Sequence, residues 1–197
     1  MRNNTKNNEN LIQKFNEREF IEKIKPYFAL MRAGDWEHAK RVVKWVKKLG
    51  KGRKNLNFLV VAAYIHDIGW FGVAPKGKID LKEMLKLESK ANKNSSKLIS
   101  KILSDLKFTD LEIKIINKLV AATDRHKSKT EEETIIVDAD NLSKLDIEHF
   151  RQKYQPKSFK KLADLLESEL PNRIKTKKGK ELFYKLFSNL KKEISKN

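Results

Sequence analysis

The sequence predicts one all-α domain, and three observations support this fold class. The chain has 197 residues, a length typical of one domain or at most two, and enough to bury a sizeable core. Only 7 glycines and 4 prolines are present, so few residues interrupt a helix. Apolar residues recur at helical spacing, and no repeat of fixed period appears. We therefore expect a polar tail over residues 1–10 and a bundle of helices over residues 11–197.

Three helices are predicted in the first 72 residues. Their expected bounds are Leu11 to Lys25, Trp36 to Leu49, and a third helix that opens at Asn55 or Asn57 and is ended by residues 69–72. Asn10 can cap the first, Pro26 kinks it or opens a short second piece, and Asp35 can cap the second. The third is apolar on nearly every side, and its length and its Ala pair favour a central helix over a buried strand.

Further helices follow a loop over residues 70–79. Asp80 begins a helical region to about Leu106 that could break near residues 92–94. Thr109 and Glu112 form a capping box, which predicts a helix start. A charged link over residues 127–133 leads to Thr134 and an apolar run, and two amphipathic helices are expected over residues 158–195. The stretch from Pro171 to Gly179 is predicted to link these last two.

The charge and the cysteine count limit the possible functions. Lys and Arg number 44 against 26 Asp and Glu, a net charge of +18. This charge indicates a nucleic-acid or anionic-substrate binder, or else only a lysine-rich solvated surface. The absence of cysteine excludes disulfide scaffolds, thiolate metal sites and a Cys nucleophile. The longest apolar run is far shorter than a membrane span, so we expect a soluble, cytoplasmic protein.

A candidate metal site lies at the end of the most apolar predicted helix. His66 and Asp67 lie at the end of that helix, and burying such an ionisable pair would cost several kcal/mol without compensation. A divalent cation would compensate both groups, because imidazole and carboxylate are suitable ligands for such ions. His38 upstream and the pair Asp138 and Asp140 downstream could supply the remaining ligands. No motif surrounds His149, which we interpret as structural.

The same residues carry a family resemblance. The segments are residues 38–42, 62–69, 121–126 and 137–142, and they hold the order His, His-Asp, Asp. This order resembles the HD superfamily of metal-dependent phosphohydrolases, over about residues 35–145. The resemblance implies that His38, His66, Asp67 and Asp140 bind one divalent ion, which could be Mn, Fe, Co, Ni, Zn or Mg. Asp138 is the alternative last ligand, and the absence of a histidine between Asp67 and His126 favours a single metal.

The resemblance also implies hydrolysis of a nucleotide or another small phosphate ester by metal-activated water. The expected catalytic residues are Asp67, His126 and Arg41. The expected phosphate-binding residues are Arg41, Lys76, Lys78 and Arg125. Trp70 and Phe71 lie beside the site and could stack on a nucleobase. The alternative function is a nucleic-acid-binding protein on the same scaffold, with a structural metal or none.

Overall fold

The computed structural model describes residues 15–75 and 77–196, and helices joined by short loops make up most of this part of the chain. It contains α1 (Glu17–Phe28), α2 (Asp35–Leu49), α3 (Leu56–Ile65), α4 (Leu81–Asp105), α5 (Asp110–Asp124), α6 (Glu131–Ser143), α7 (Ile147–Lys153), α8 (Phe159–Arg173) and α9 (Lys177–Ile194). Two short 3-10 helices cover Ile68–Trp70 and Pro156–Ser158. The only β interaction among the described residues is an isolated parallel bridge between Ile79 and Tyr154. The predicted all-α class is confirmed.

The first helix begins later than the sequence predicts. The expected cap Asn10 and start Leu11 lie outside the described residues. The Asn16 side chain accepts a hydrogen bond from the Glu19 backbone N–H, so α1 starts at Glu17 and the prediction of helix at residues 15–16 is wrong. Pro26 lies inside the last turn of α1, which continues to Phe28.

Three other boundaries predicted from the sequence are wrong. Helix α4 runs unbroken through residues 92–94, where the Asn94 amide donates to the carbonyls of Gly69 and Phe71. Helix α6 starts at Glu131, because Thr130 caps it. Helix α8 includes Pro171 and ends at Arg173, so the link to α9 covers only residues 174–176. The capping box at the start of α5 is confirmed.

Helix α3 forms the centre of the bundle. All eight residues from Phe58 to Ile65 are buried, and α3 packs against α2, α5 and α6. A helix that is apolar on every face is expected in such a central position. Its last turn therefore delivers His66 and Asp67 into the interior of the fold. No helix among the described residues combines the length and hydropathy needed to cross a bilayer.

Two glycines allow the backbone to approach closely around this point. Gly34 precedes α2 with a φ of 76°, and a Cβ there would lie 2.6 Å from the Gln152 side chain. Gly69, two residues after Asp67, packs against α4, and its Cβ would lie 2.2 Å from the Ala91 carbonyl oxygen. Both positions exclude larger side chains, which fixes the start of α2 and the turn after α3.

Candidate metal centre

Three helices bring four predicted ligands together. His38 lies on α2, His66 and Asp67 follow α3, and Asp140 lies on α6. The two Nε2 atoms of His38 and His66 are 3.1 Å apart, and Asp140 Oδ1 lies 3.2 Å and 3.6 Å from them. Asp67 Oδ2 is 3.7 Å and 3.8 Å from the same two nitrogens. Ligand atoms of His38, His66 and Asp67 all lie within 4.8 Å of one another.

The hydrogen bonds of both imidazoles fix which nitrogen faces the cluster. His66 Nδ1 lies 2.8 Å from the Ala63 carbonyl oxygen, which can only accept, so Nδ1 holds the proton. Ser143 donates its hydroxyl proton to the Asp140 carbonyl, so His38 Nδ1 must donate to Ser143 Oγ at 3.1 Å. Burial lowers the pKa of His38 well below its usual value and keeps it neutral. In these tautomers, with both rings neutral, each Nε2 atom presents its lone pair to the other.

This arrangement fits a divalent cation. Asp140 Oδ1 is buried and has no hydrogen-bond partner, and in the neutral tautomers described above neither neighbouring Nε2 atom carries a proton to donate. Two lone pairs and a carboxylate oxygen converging without a proton repel one another unless a positive ion lies between them. Ligands bound to one ion at about 2.1 Å lie about 3.0–3.5 Å apart, close to the separations observed here. His38, His66, Asp140 and Asp67 can thus hold one ion.

Two buried cations hold Asp67 in place. Its Oδ2 accepts hydrogen bonds from Arg32 Nη2 at 2.6 Å and from Lys153 Nζ at 3.1 Å. Burial would raise the pKa of Asp67, but the charges of Arg32 and Lys153 outweigh it and hold that pKa well below its usual value. Asp67 therefore stays ionised at neutral pH. Sequence reasoning missed both basic residues.

Asp35 ties these cations to the start of α2. It is fully buried and accepts from the Arg32 backbone N–H, from the Arg32 guanidinium and, at 2.7 Å, from Lys153 Nζ. The Arg32 guanidinium also lies 3.8 Å from the centre of the Trp70 ring. Trp70 is buried under Arg32 and is not open for a nucleobase, and Phe71 packs edge-on against Tyr27 instead.

Asp140 has its own basic partner, Lys144. Lys144 Nζ lies 2.7 Å from Asp140 Oδ2, the oxygen that points away from the imidazoles. Burial alone would raise the pKa of Asp140, but the Lys144 charge and the nearby histidines outweigh it and hold that pKa well below its usual value. Asp67 and Asp140, the two candidate carboxylate ligands, are therefore both ionised, and each has a basic neighbour.

The cluster forms one end of a cavity of about 250 Å³. Arg32, Lys144, Lys153 and Arg173 line it, together with Asp124, His126 and His149. His149 lies buried with its ring centre 4.8 Å from that of His38, and its Nδ1 has no hydrogen-bond partner. Burial, together with the nearby His38 and Lys153, lowers the pKa of His149 well below its usual value. No sequence motif marks this histidine.

Asp124 and His126, which also line the cavity, have shifted pKa values. Burial, reinforced by the negative charges of Asp67 and Asp140, raises the pKa of Asp124 to about 7. Burial and the charges of Lys144 and Arg173 lower the pKa of His126 to about 4. His126 is therefore neutral at pH 7, and its buried Nδ1 has no partner.

Three of the predicted phosphate-binding residues, Arg41, Lys78 and Arg125, do not line this cavity. Arg41 lines a separate depression beside Trp45 and donates from Nη1 to Gln152 Oε1 at 2.8 Å. Each residue of a helix adds a rotation of about 100° and a rise of about 1.5 Å. Arg41 follows His38 by three residues on α2, so its side chain leaves the helix about 60° around the axis from His38 and about 4.5 Å further along it. Lys78 and Arg125 are exposed and do not line the cavity, and Lys76 lies outside the described residues.

Asp138 has a different environment from Asp140. Its carboxylate accepts from the backbone N–H groups of Lys175 and Thr176 and from the Thr176 hydroxyl, at 2.6–2.9 Å. It anchors the link between α8 and α9, and its two oxygens are occupied there. Burial raises the pKa of Asp138 above its usual value. Because these contacts occupy both oxygens of Asp138, and because Asp140 Oδ1 lies beside the two imidazoles, Asp140 is the better candidate for the last ligand.

Comparison with known proteins gives one match. The model of the HD domain family matches residues 35–145, more than half of the chain. No curated protein and no solved structure gives a significant match. The matched segment contains all four clustered ligands, whereas Arg32 and Lys153 lie just outside it.

Proposed function

This chain belongs to the HD domain family, a superfamily of metal-dependent phosphohydrolases, and we propose that it hydrolyses a small phosphate ester. One observation carries the proposal. The imidazole lone pairs of His38 and His66 converge with the buried Asp140 Oδ1, which has no donor, and with the ionised Asp67. Such a set of nitrogen and oxygen ligands suits a catalytic divalent ion. Mn, Fe, Co, Ni, Zn and Mg are the candidates.

The reaction requires a nucleophile, a phosphate site and a proton for the leaving group. A bound divalent ion supplies an activated water and polarises a phosphoryl oxygen. The water oxygen bonds to phosphorus, the ester P–O bond breaks, and one water proton ends on the ester oxygen. The products are inorganic phosphate and an alcohol.

The side chains of the cavity have distinct parts in this reaction. Asp67, kept ionised by Arg32 and Lys153, can accept a hydrogen bond from the attacking water and orient it. Lys144 and Arg173 line the same cavity and can offset charge on the phosphoryl oxygens. His126, neutral at pH 7, can offer its unpartnered Nδ1 to a substrate oxygen.

The recessed position of the ligands favours a small substrate over a polymer. A polymer-binding surface needs exposed cations that reach successive phosphates. His38, His66 and Asp140 are each at most 4% exposed, at one end of a cavity of about 250 Å³. The net charge of +18 alone supports the alternative, a nucleic-acid-binding protein on the same scaffold.

Metal analysis and a substrate screen test the proposal together. The wild type should contain one equivalent of divalent metal and hydrolyse at least one member of a panel of nucleotides, sugar phosphates and simple alkyl phosphates. His66→Ala and Asp140→Asn should lose both properties, whereas Lys157→Ala, at an exposed lysine outside the cavity, should keep them. Absence of metal in the wild type, with no activity after addition of Mn, Co, Ni or Mg, would contradict the proposal.

A second assay separates the two functions. A nucleic-acid-binding protein should retard DNA or RNA at micromolar concentration and low salt, with an affinity that falls steeply as salt rises. Retardation that survives in His66→Ala, without hydrolysis of any ester by the wild type, would favour the alternative.

A further inference from the structure

Part of the cavity lining is apolar, in contrast to the charged and polar residues of the candidate metal site. Five aliphatic side chains from two helices form this apolar wall: Met84 and Leu85 of α4, and Leu162, Leu165 and Leu166 of α8. Helix α8 lies outside the segment that matches the family model. The part of the wall that α8 contributes is therefore not specified by the match to the family model.

Two of these leucines remain open to solvent. Leu85 is 50% exposed, and Leu165 is partly exposed. The large apolar side chains exposed among the described residues are Leu30, Leu85, Leu111 and Tyr184. Of these four, Leu85 alone lines the cavity. An apolar group placed against Leu85 and Leu165 would remove their surface from water, which favours binding.

The charge of the cavity limits the ligand to one phosphate. Four basic and five acidic side chains line it. With a divalent ion the net charge becomes about +1, which favours the dianion of one phosphate monoester over a polyphosphate. The carboxylates of Glu88 and Glu169 also line the cavity and would repel further phosphates.

The small volume of the cavity and the burial of the Trp and Tyr residues that line it argue against a stacked nucleobase. A volume of about 250 Å³ lies below the usual range of about 300–1,000 Å³ for ligand pockets. Trp70 and Tyr154 are the aromatic residues that line the cavity, and both are at most 5% exposed. Arg32 covers Trp70. The lining therefore presents aliphatic surface, and no open aromatic face on which a base could stack.

We infer that the substrate is a phosphate monoester of a compact apolar alcohol, with the phosphate at the metal end and the alcohol against Leu85 and Leu165. This inference rests on the proposed phosphohydrolase function. It assigns specificity to α4 and α8, and it predicts that hydroxyl groups on the alcohol weaken recognition because they would lose water without gaining partners on this wall.

A matched pair of substrates tests the inference. Cyclohexylmethyl phosphate and glucose 6-phosphate have a similar shape and both leave as primary alkoxides, but only the second carries hydroxyl groups on its ring. The metal-loaded wild type should hydrolyse the apolar ester with a kcat/KM about tenfold higher or more. Leu85→Asn should reduce this preference at least threefold. Leu111→Asn changes a leucine of similar exposure outside the cavity and should leave the preference unchanged.

Each other outcome has a definite meaning. Equal or better hydrolysis of glucose 6-phosphate or of a nucleoside monophosphate would overturn the inference and leave the proposed function intact. An unchanged preference in both Leu85→Asn and Leu165→Asn would also overturn it, with thermal unfolding used to confirm that the variants fold. Hydrolysis of no ester with any metal would instead refute the proposed function.

Discussion

Asp124 should make the metal-free protein less stable as the pH rises. In the unfolded chain this carboxyl ionises at its ordinary pKa of 3.8, whereas in the folded protein it keeps its proton up to about pH 7. The folded state therefore binds more protons between these values. The stability contributed by this group is fully present below pH 3.8 and is lost as the pH rises to about 7.

The size of the effect follows from the pKa shift. One pKa unit corresponds to about 1.4 kcal/mol, so between pH 5 and pH 7 the group costs at most about 3 kcal/mol of stability. Asp124→Asn removes the titration and keeps the shape. We therefore compare the free energy of unfolding of Asp124→Asn with that of the wild type. The difference, variant minus wild type, should increase by about 1–3 kcal/mol between pH 5 and pH 7 and should stay constant above pH 7.

Urea denaturation after EDTA treatment, at half-unit steps from pH 5 to pH 8, measures this difference. The comparison cancels the contributions of other titrating groups, including His126 and His149. A bound divalent ion should lower the pKa of Asp124 and shrink the effect. Parallel curves for the two proteins in EDTA would refute the reasoning, because they would show that Asp124 ionises in the fold as it does in water.

Three further predictions follow from single contacts. Lys144→Met removes a positive charge 2.7 Å from Asp140 and should tighten Mn²⁺ binding about tenfold by calorimetry, while Lys157→Met should not. Asp138→Asn should lower the free energy of unfolding by about 1–3 kcal/mol in urea titrations without changing metal content, since Asp138 anchors the link before α9. Thr109→Ala should cost about 1 kcal/mol in the same titrations, because it removes the capping box of α5.

Several helices, and the adjacency of the candidate ligands His66 and Asp67, were predictable because local chemistry determines them. The capping box at Thr109 satisfies backbone groups within one turn, and the apolar run from Phe58 to Ile65 can only be buried. His66 and Asp67 are adjacent in sequence, so the end of that run places them together. The predicted break near residues 92–94 is wrong because Asn94 is held by carbonyls distant in sequence.

The basic residues of the site could not be predicted in this way. Lys153 pairs with Asp67, which lies 86 residues away, and the chain has 44 Lys and Arg residues from which to choose. Helical spacing indicated Arg41, but spacing does not determine which way a long side chain extends. His149 reaches His38 only because α7 folds back on α2, and no local pattern specifies that packing.

The basic partners also determine what the metal contributes to this protein. Arg32 and Lys153 balance Asp35 and Asp67, and Lys144 balances Asp140, so the charges of the carboxylates are paired before any ion binds. In small metal-stabilised domains the ion supplies the folding energy itself, because no core is present without it. Here α3 already provides a buried core around the site. In the proposed reaction the ion would therefore serve the chemistry of the cavity, while Arg32 and Lys153 hold the Asp67 carboxylate in position.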